Sequence, residues 1–272
     1  MKRIPSIILL LVFTSFFAKG QDWGIPVTID FPRLGLISLD NQGYIFVSDL
    51  EGNLYQYDQL GQRVNNFSPQ RQGALSQLEA SWTVNIFTFS QDLQEYRILD
   101  RFINPVAENR IPLQHITLAK AATLGNNNII WVYDEADLSL KQLDYRQNRI
   151  IQNQPLNLVL AQSSLDILDI REHMNMVFIH IFEEGVYILD NQANFLRQLP
   201  SEFDQKLSFW KENLVYLNSG EMILQNLRNG EKKRFEKPKS ISAKAVFINN
   251  QNVIFQGVNK IWIFPLNQTP LQ

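Results

Sequence analysis

The 272-residue chain contains no cysteine. That excludes disulfide staples, thiolate metal ligands, thiol nucleophiles and an N-terminal thiol-linked lipid anchor, so the fold must be stabilised by its core alone. Glycine and proline are scarce, at twelve and eleven residues, and aromatic residues make up 11%. This composition excludes low-complexity disorder. Neither charge sign dominates: 25 basic and 27 acidic residues leave a net −2. Such a balance gives no general attraction to nucleic acid or anionic lipid. Catalytic and cofactor motifs are missing as well. No His-x-Glu-x-His, Gly-x-Ser-x-Gly, phosphate-cradling glycine loop or Cys-x-x-Cys-His haem attachment occurs. No cofactor and no metal are expected.

One long apolar run exists, at the start, MKRIPSIILLLVFTSFFAKGQDW. Lys2 and Arg3 precede the stretch from Ile7 to Phe17, and Ala18-Lys19-Gly20 provides a small-residue exit. This is the layout of a secretory signal over residues 1–20, with cleavage expected after Gly20. Eleven helical residues cover about 16 Å of a roughly 30 Å hydrocarbon core, so no stable membrane span is expected after cleavage. The mature domain, residues 21–272, would carry a formal charge of −5. Export without cysteine suits a bacterial envelope protein, in the periplasm or at the cell surface.

What the sequence has in quantity is short strands. Residues 36–67 run Leu36-Ile37-Ser38-Leu39, a turn Asp40 to Gly43, Tyr44-Ile45-Phe46-Val47, a turn Asp49 to Gly52, Leu54-Tyr55-Gln56-Tyr57, a turn Asp58 to Gly61, and Arg63 to Phe67. Aromatic and β-branched runs between Asn/Asp/Gly turns predict a four-stranded antiparallel meander. The third run recurs, closing on Asp58, Asp100, Asp144, Asp190 and Asn226, at intervals of 42, 44, 46 and 36 residues. A sixth copy, Lys260 to Phe264, stands eight residues from the C-terminus. A period of about 40 with four strands per unit is the signature of a propeller. The sixth unit lacks its fourth strand, while Ile25-Pro26-Val27-Thr28-Ile29-Asp30 is a spare strand ahead of the first. An all-β, six-bladed propeller follows, one domain, closed when residues 25–30 complete the last blade.

The opening stretch resembles the NHL-type repeat, through Asp40, Gly43, Tyr44, Ile45, Val47, Asp49, Tyr55, Tyr57, Asp58, Gly61, Val64 and Phe67. The likeness covers some thirty residues and is faint elsewhere; the glycine after the Asp marker is absent from the second, third and fourth units. It implies the propeller fold and a functionally broad family of mostly binding and scaffolding proteins with some enzymes.

Turns joining second to third strands open on one face. The first four hold eight carboxylates and no cation: Asp49, Glu51, Asp92, Asp134, Glu135, Asp137, Glu183 and Glu184. They form the candidate binding face, an acidic arc suited to a basic partner; the competing reading is solvated turns. Nothing has calcium-loop spacing. Outer strands carry Arg63, Arg110, Arg149, Arg197, Lys232, Lys233 and Arg234, which protects strand edges. His180 alternates with Phe178 and Phe182 and reads as blade packing, whereas His173 is placed in a turn beside Glu172. Asp166 and Asp169 are candidates to point a carboxylate at the channel. Trp82, Trp131, Trp210 and Trp262 fall in or beside strands and read as inter-blade filler rather than a carbohydrate platform.

The expectation is an exported, monomeric, non-enzymatic scaffold that docks a protein or envelope polymer on a loop face. The alternative is a hydrolase or lyase acting on a small ligand or glycan at the central channel.

Overall fold

The second strand of each repeat buries apolar residues on both faces, and a sheet built around such a strand needs a neighbour on either side. The computed structural model describes residues 23–80 and 85–271 and meets this need with a ring of six four-stranded antiparallel sheets. The signal-like residues 1–20 and Trp82 lie outside the described residues. Strand β1 (Val27–Asp30) precedes the first complete blade, β2 (Leu34–Leu39), β3 (Ile45–Asp49), β4 (Leu54–Tyr57) and β5 (Arg63–Phe67). Blade two is β6 (Gln77–Glu79), β7 (Asn85–Ser90), β8 (Glu95–Asp100) and β9 (Pro105–Arg110). Blade three is β10 (Ala119–Leu124), β11 (Ile129–Asp134), β12 (Ser139–Asp144) and β13 (Arg149–Pro155), followed by one helical turn, α1 (Leu156–Val159). Blade four is β14 (Ile167–His173), β15 (Met176–Ile181), β16 (Gly185–Leu189) and β17 (Phe195–Leu199). Blade five is β18 (Phe209–Trp210), β19 (Asn213–Asn218), β20 (Glu221–Asn226) and β21 (Lys232–Glu236). Blade six is β22 (Ala245–Ile248), β23 (Asn252–Gln256) and β24 (Lys260–Pro265), completed by β1.

Closure runs through an antiparallel ladder that pairs Val27 with Ile263, Thr28 with Trp262, Ile29 with Ile261 and Asp30 with Lys260. The spare N-terminal strand and the three-stranded C-terminal unit therefore complete one another, as their arrangement in the sequence implies.

The core is six layers, one at each blade junction. Strand β11 shows how period-two alternation builds them. Ile130 and Val132 point into the layer shared with blade two, while Trp131 and Tyr133 point into the layer shared with blade four. The ring closes through Ile29, Ile261 and Ile263 packed with Ile37, Ile45 and Val47. Rim strands have no outer neighbour, and β5 and β9 are largely exposed.

Within a blade, strand one runs from one face of the disc to the other. Turns between strands two and three, with the connections from blade to blade, therefore share one face, here the A face. Turns between strands one and two and between three and four share the opposite B face. The recurring Asp marker caps the three-to-four turns. Asp58 Oδ1 accepts the amides of Leu60 and Gln62, Asp100 those of Phe102 and Asn104, and Asp190 those of Gln192 and Asn194. The turns keep their left-handed residue even without glycine: φ is +74° at Gly61, +57° at Ile103 and +61° at Ala193. Such a φ strains Ile103, a β-branched residue, and its side chain is buried against blades one and two.

Candidate functional site

The eight acidic turn residues lie on the A face in very different environments. Asp49 caps its own turn, with Oδ1 accepting the amides of Glu51 and Asn53 and Oδ2 accepting Asn53 Nδ2. Glu51 pairs with Arg33 at 2.6 Å and Glu135 with Lys120 at 3.4 Å. Asp134 is fully buried and accepts the amides of Thr117, Leu118 and Ala136. Lys141 Nζ stands 2.7 Å from both Asp134 and Asp137. Burial works against the Asp134 charge, but the hydrogen bonds from Lys141 and three amides outweigh it and hold the carboxyl below the ordinary range. Glu184 accepts the Ser164 amide and the Tyr187 hydroxyl. Asp92 and Glu183 are exposed. Cations outside the turns of blades one and three thus stand beside four of the eight carboxylates. Arg33, Lys120 and Lys141 lie outside the turns, so a reading of the turns alone does not count them.

Apolar side chains share this face. Leu50, Leu138, Phe182 and Val258 are exposed in the two-to-three turns, and Leu118 and Leu168 are exposed at or beside the starts of first strands. Phe182 and Leu168 also line the axial recess that opens here, a cavity of about 430 Å³ with Lys206, Lys244, Asp169 and Asp204 on its wall. Asp169 is held from two sides: Oδ1 faces Lys206 Nζ at 3.3 Å, and Oδ2 accepts the Leu207 amide at 2.8 Å. Asp166 is exposed ahead of β14, so of the two aspartates only Asp169 reaches the channel.

Inside the disc, Arg171, Ile37 and Phe247 line both the A-face recess and a second recess of about 190 Å³ on the B face. They narrow the channel between the two. Glu79 lines neither recess. It lies buried 3.8 Å from Arg171, accepting Gln77 Nε2 at 2.7 Å and the Leu124 amide at 3.3 Å. Burial pushes its carboxyl up to about 7 against the opposing pull of Arg171, Thr123 and Gln77. Little in the sequence around Glu79 marks it, because its partners other than Gln77 come from blades three and four.

Two of the three histidines serve packing, and His115 is exposed. His180 stacks on Phe203 at 4.2 Å, and His173 stacks on Phe209 at 4.2 Å. His173 is the last residue of β14 and buried, not a turn residue; the turn is Met174-Asn175. Desolvation holds both imidazoles down to about 4. Trp131 is buried between blades, as expected of filler, while Trp210 lines the B-face recess. Among the described residues no group of acidic and histidine side chains is arranged to hold a metal. No helix among them is long and apolar enough to cross a membrane.

No protein-family model matches this sequence, and no curated protein matches it. Solved structures do match. The β-propeller domain of Cps50 (Swd1) from Myceliophteria thermophila superposes with a TM-score of 0.61 at 11% identity, over 90% of this chain and 99% of that one. Virginiamycin B lyase from Staphylococcus aureus gives 0.57 at 8% identity, over 88% and 98%. PorZ, a surface component of the type-IX secretion system of Porphyromonas gingivalis, gives 0.54 at 12% identity, over 82% of this chain and 29% of PorZ. At such identities the likeness establishes the fold alone. This chain is a six-bladed β-propeller.

Proposed function

We propose that the protein is an exported, non-enzymatic binding module that docks a protein or envelope polymer on its A face. The observation that carries this reading is the coincidence of exposed apolar residues, charged turns and an open axial recess on one face of a rigid disc. A face of that kind offers buried apolar area for affinity and charges for register. The signal-like residues 1–20 support export to the periplasm or cell surface. A monomer suffices, because the ring closes on itself and leaves no inner sheet edge unpaired.

The hydrolase or lyase alternative has less support. An acid or base must reach the substrate, yet Glu79 stands outside both recesses and Asp169 is already bonded through both oxygens. Of the three histidines, His173 and His180 are buried against phenylalanine rings, and exposed His115 stands beside Gln114 outside both recesses.

Pull-down from an envelope extract, comparing the wild-type domain with Phe182→Asp and Val258→Asp, tests the assignment. Both residues are exposed, so the variants should fold, and retention of the partner should drop at least about tenfold. The rim variant Phe195→Asp should retain it. Equal retention by all four proteins, or none by any, contradicts the reading.

A further inference from the structure

The B-face recess has a chemistry that A-face docking does not use. Its walls include Ile37, Phe209 and Phe247, and around them stand side chains rich in hydrogen-bond donors. Arg171 is about nine-tenths buried and donates from Nη2 to the Leu207 carbonyl at 3.4 Å, while its Nη1 and Nε make no hydrogen bond. Asn249 is equally buried. Its Oδ1 accepts the amides of Gln251 and Asn252, which fixes the orientation of the amide and leaves Nδ2 without an acceptor. Trp210 Nε1 is buried and has no partner. Lys211 Nζ sits 4.3 Å above the Trp210 ring.

Buried donors without acceptors are rare, because each forfeits its hydration for nothing. Four such N–H-bearing atoms on three side chains of a single recess call for an acceptor-rich occupant. Two anions stand nearby, and neither accepts a hydrogen bond from these donors. Asp40, the carboxylate on the lining, uses Oδ1 to accept the amides of Gln42 and Tyr44 and so shape its own turn. Glu79, which is not on the lining, stands 3.8 Å from Arg171 Nη1, beyond hydrogen-bond distance, and accepts Gln77 and the Leu124 amide.

We propose that the B-face recess binds a small organic carboxylate. The guanidinium, the Asn249 amide and the indole N–H supply donors for its two oxygens, and Lys211 adds long-range attraction at the mouth. The rings and aliphatic walls take a compact apolar or sugar-ring body, since about 190 Å³ is below the usual range for larger ligands.

Calorimetric titration of the whole domain with benzoate, galacturonate and benzamide tests this. Benzoate and galacturonate separate an aromatic from a sugar acid, and benzamide keeps the benzoate shape without the charge. At least one acid should bind saturably below ~10 mM, and benzamide should bind at least about tenfold more weakly. Asn249→Asp keeps the turn-capping oxygen, as Asp40 does in blade one, and replaces the donor with a like charge. It should fold with an unchanged melting temperature and lose binding. Arg171→Gln should weaken binding at least about tenfold. Absence of binding by both acids, or binding undiminished in both variants, overturns the proposal and leaves the donors to bound water.

Discussion

Asp190 shows what a single side chain contributes to the repeat. Its carboxylate accepts two backbone amides and Asn194 Nδ2, which lowers its pKa below the ordinary carboxylate range. Asp190→Ala should cost about 1–2 kcal/mol in urea denaturation, and Asp190→Asn much less, since Asn226 caps the corresponding turn of blade five in the same way. The marker is legible in the sequence because the turn geometry demands it. The glycine that often accompanies it is not required: Ile103 and Ala193 occupy the left-handed position themselves, so the repeat fades from the sequence while the turn survives. Histidine works at the same scale in the opposite direction. His180 is held neutral, with its pKa down to about 4. As pH falls below 6.5, the unfolded chain therefore takes up a proton that the folded chain refuses, and stability drops. Between pH 7 and pH 5 this removes about 2 kcal/mol. His180→Phe should flatten that part of the pH–stability curve by a similar amount. Glu79, raised to about 7, contributes the reverse slope, gaining stability as it protonates on the way down. A curve as steep for His180→Phe as for the wild type would refute this account of the histidine.

At the level of elements, the deciding piece is β1. Ile29 is its buried residue, packed with Ile261, Ile263 and Ile37 across the closure. Ile29→Asp should cost at least about 3 kcal/mol in denaturation, because it buries an unpaired charge in an apolar layer. A cost below about 1 kcal/mol would mean the strand is dispensable. Strand number, order and closure were all readable in sequence, because alternation and turn residues act over fewer than ten positions. The site was less so. The cations beside Glu51 and Glu135 come from Arg33 and Lys120, and antiparallel pairing, not local pattern, brings them to the turns, whereas Lys141 reaches Asp137 from only four residues on. Arg171 and Glu79 meet across the axis from blades four and two, a separation that no local pattern encodes.

For the whole molecule, everything functional depends on ring closure. The A face, its recess and the B-face recess exist only if six blades share one axis, and blade six is complete only if the chain's two ends pair. The absence of cysteine turns this into a clean measurement. Asp30 and Lys260 are register partners on the exposed side of the closing ladder, 3.3 Å apart through their side chains. In the double variant Asp30→Cys/Lys260→Cys, mild oxidation should form an intramolecular disulfide in the monomer and raise the melting temperature, since the bond ties a very long loop. Thiols that stay free, or that only form disulfide-linked dimers, would contradict the closed ring.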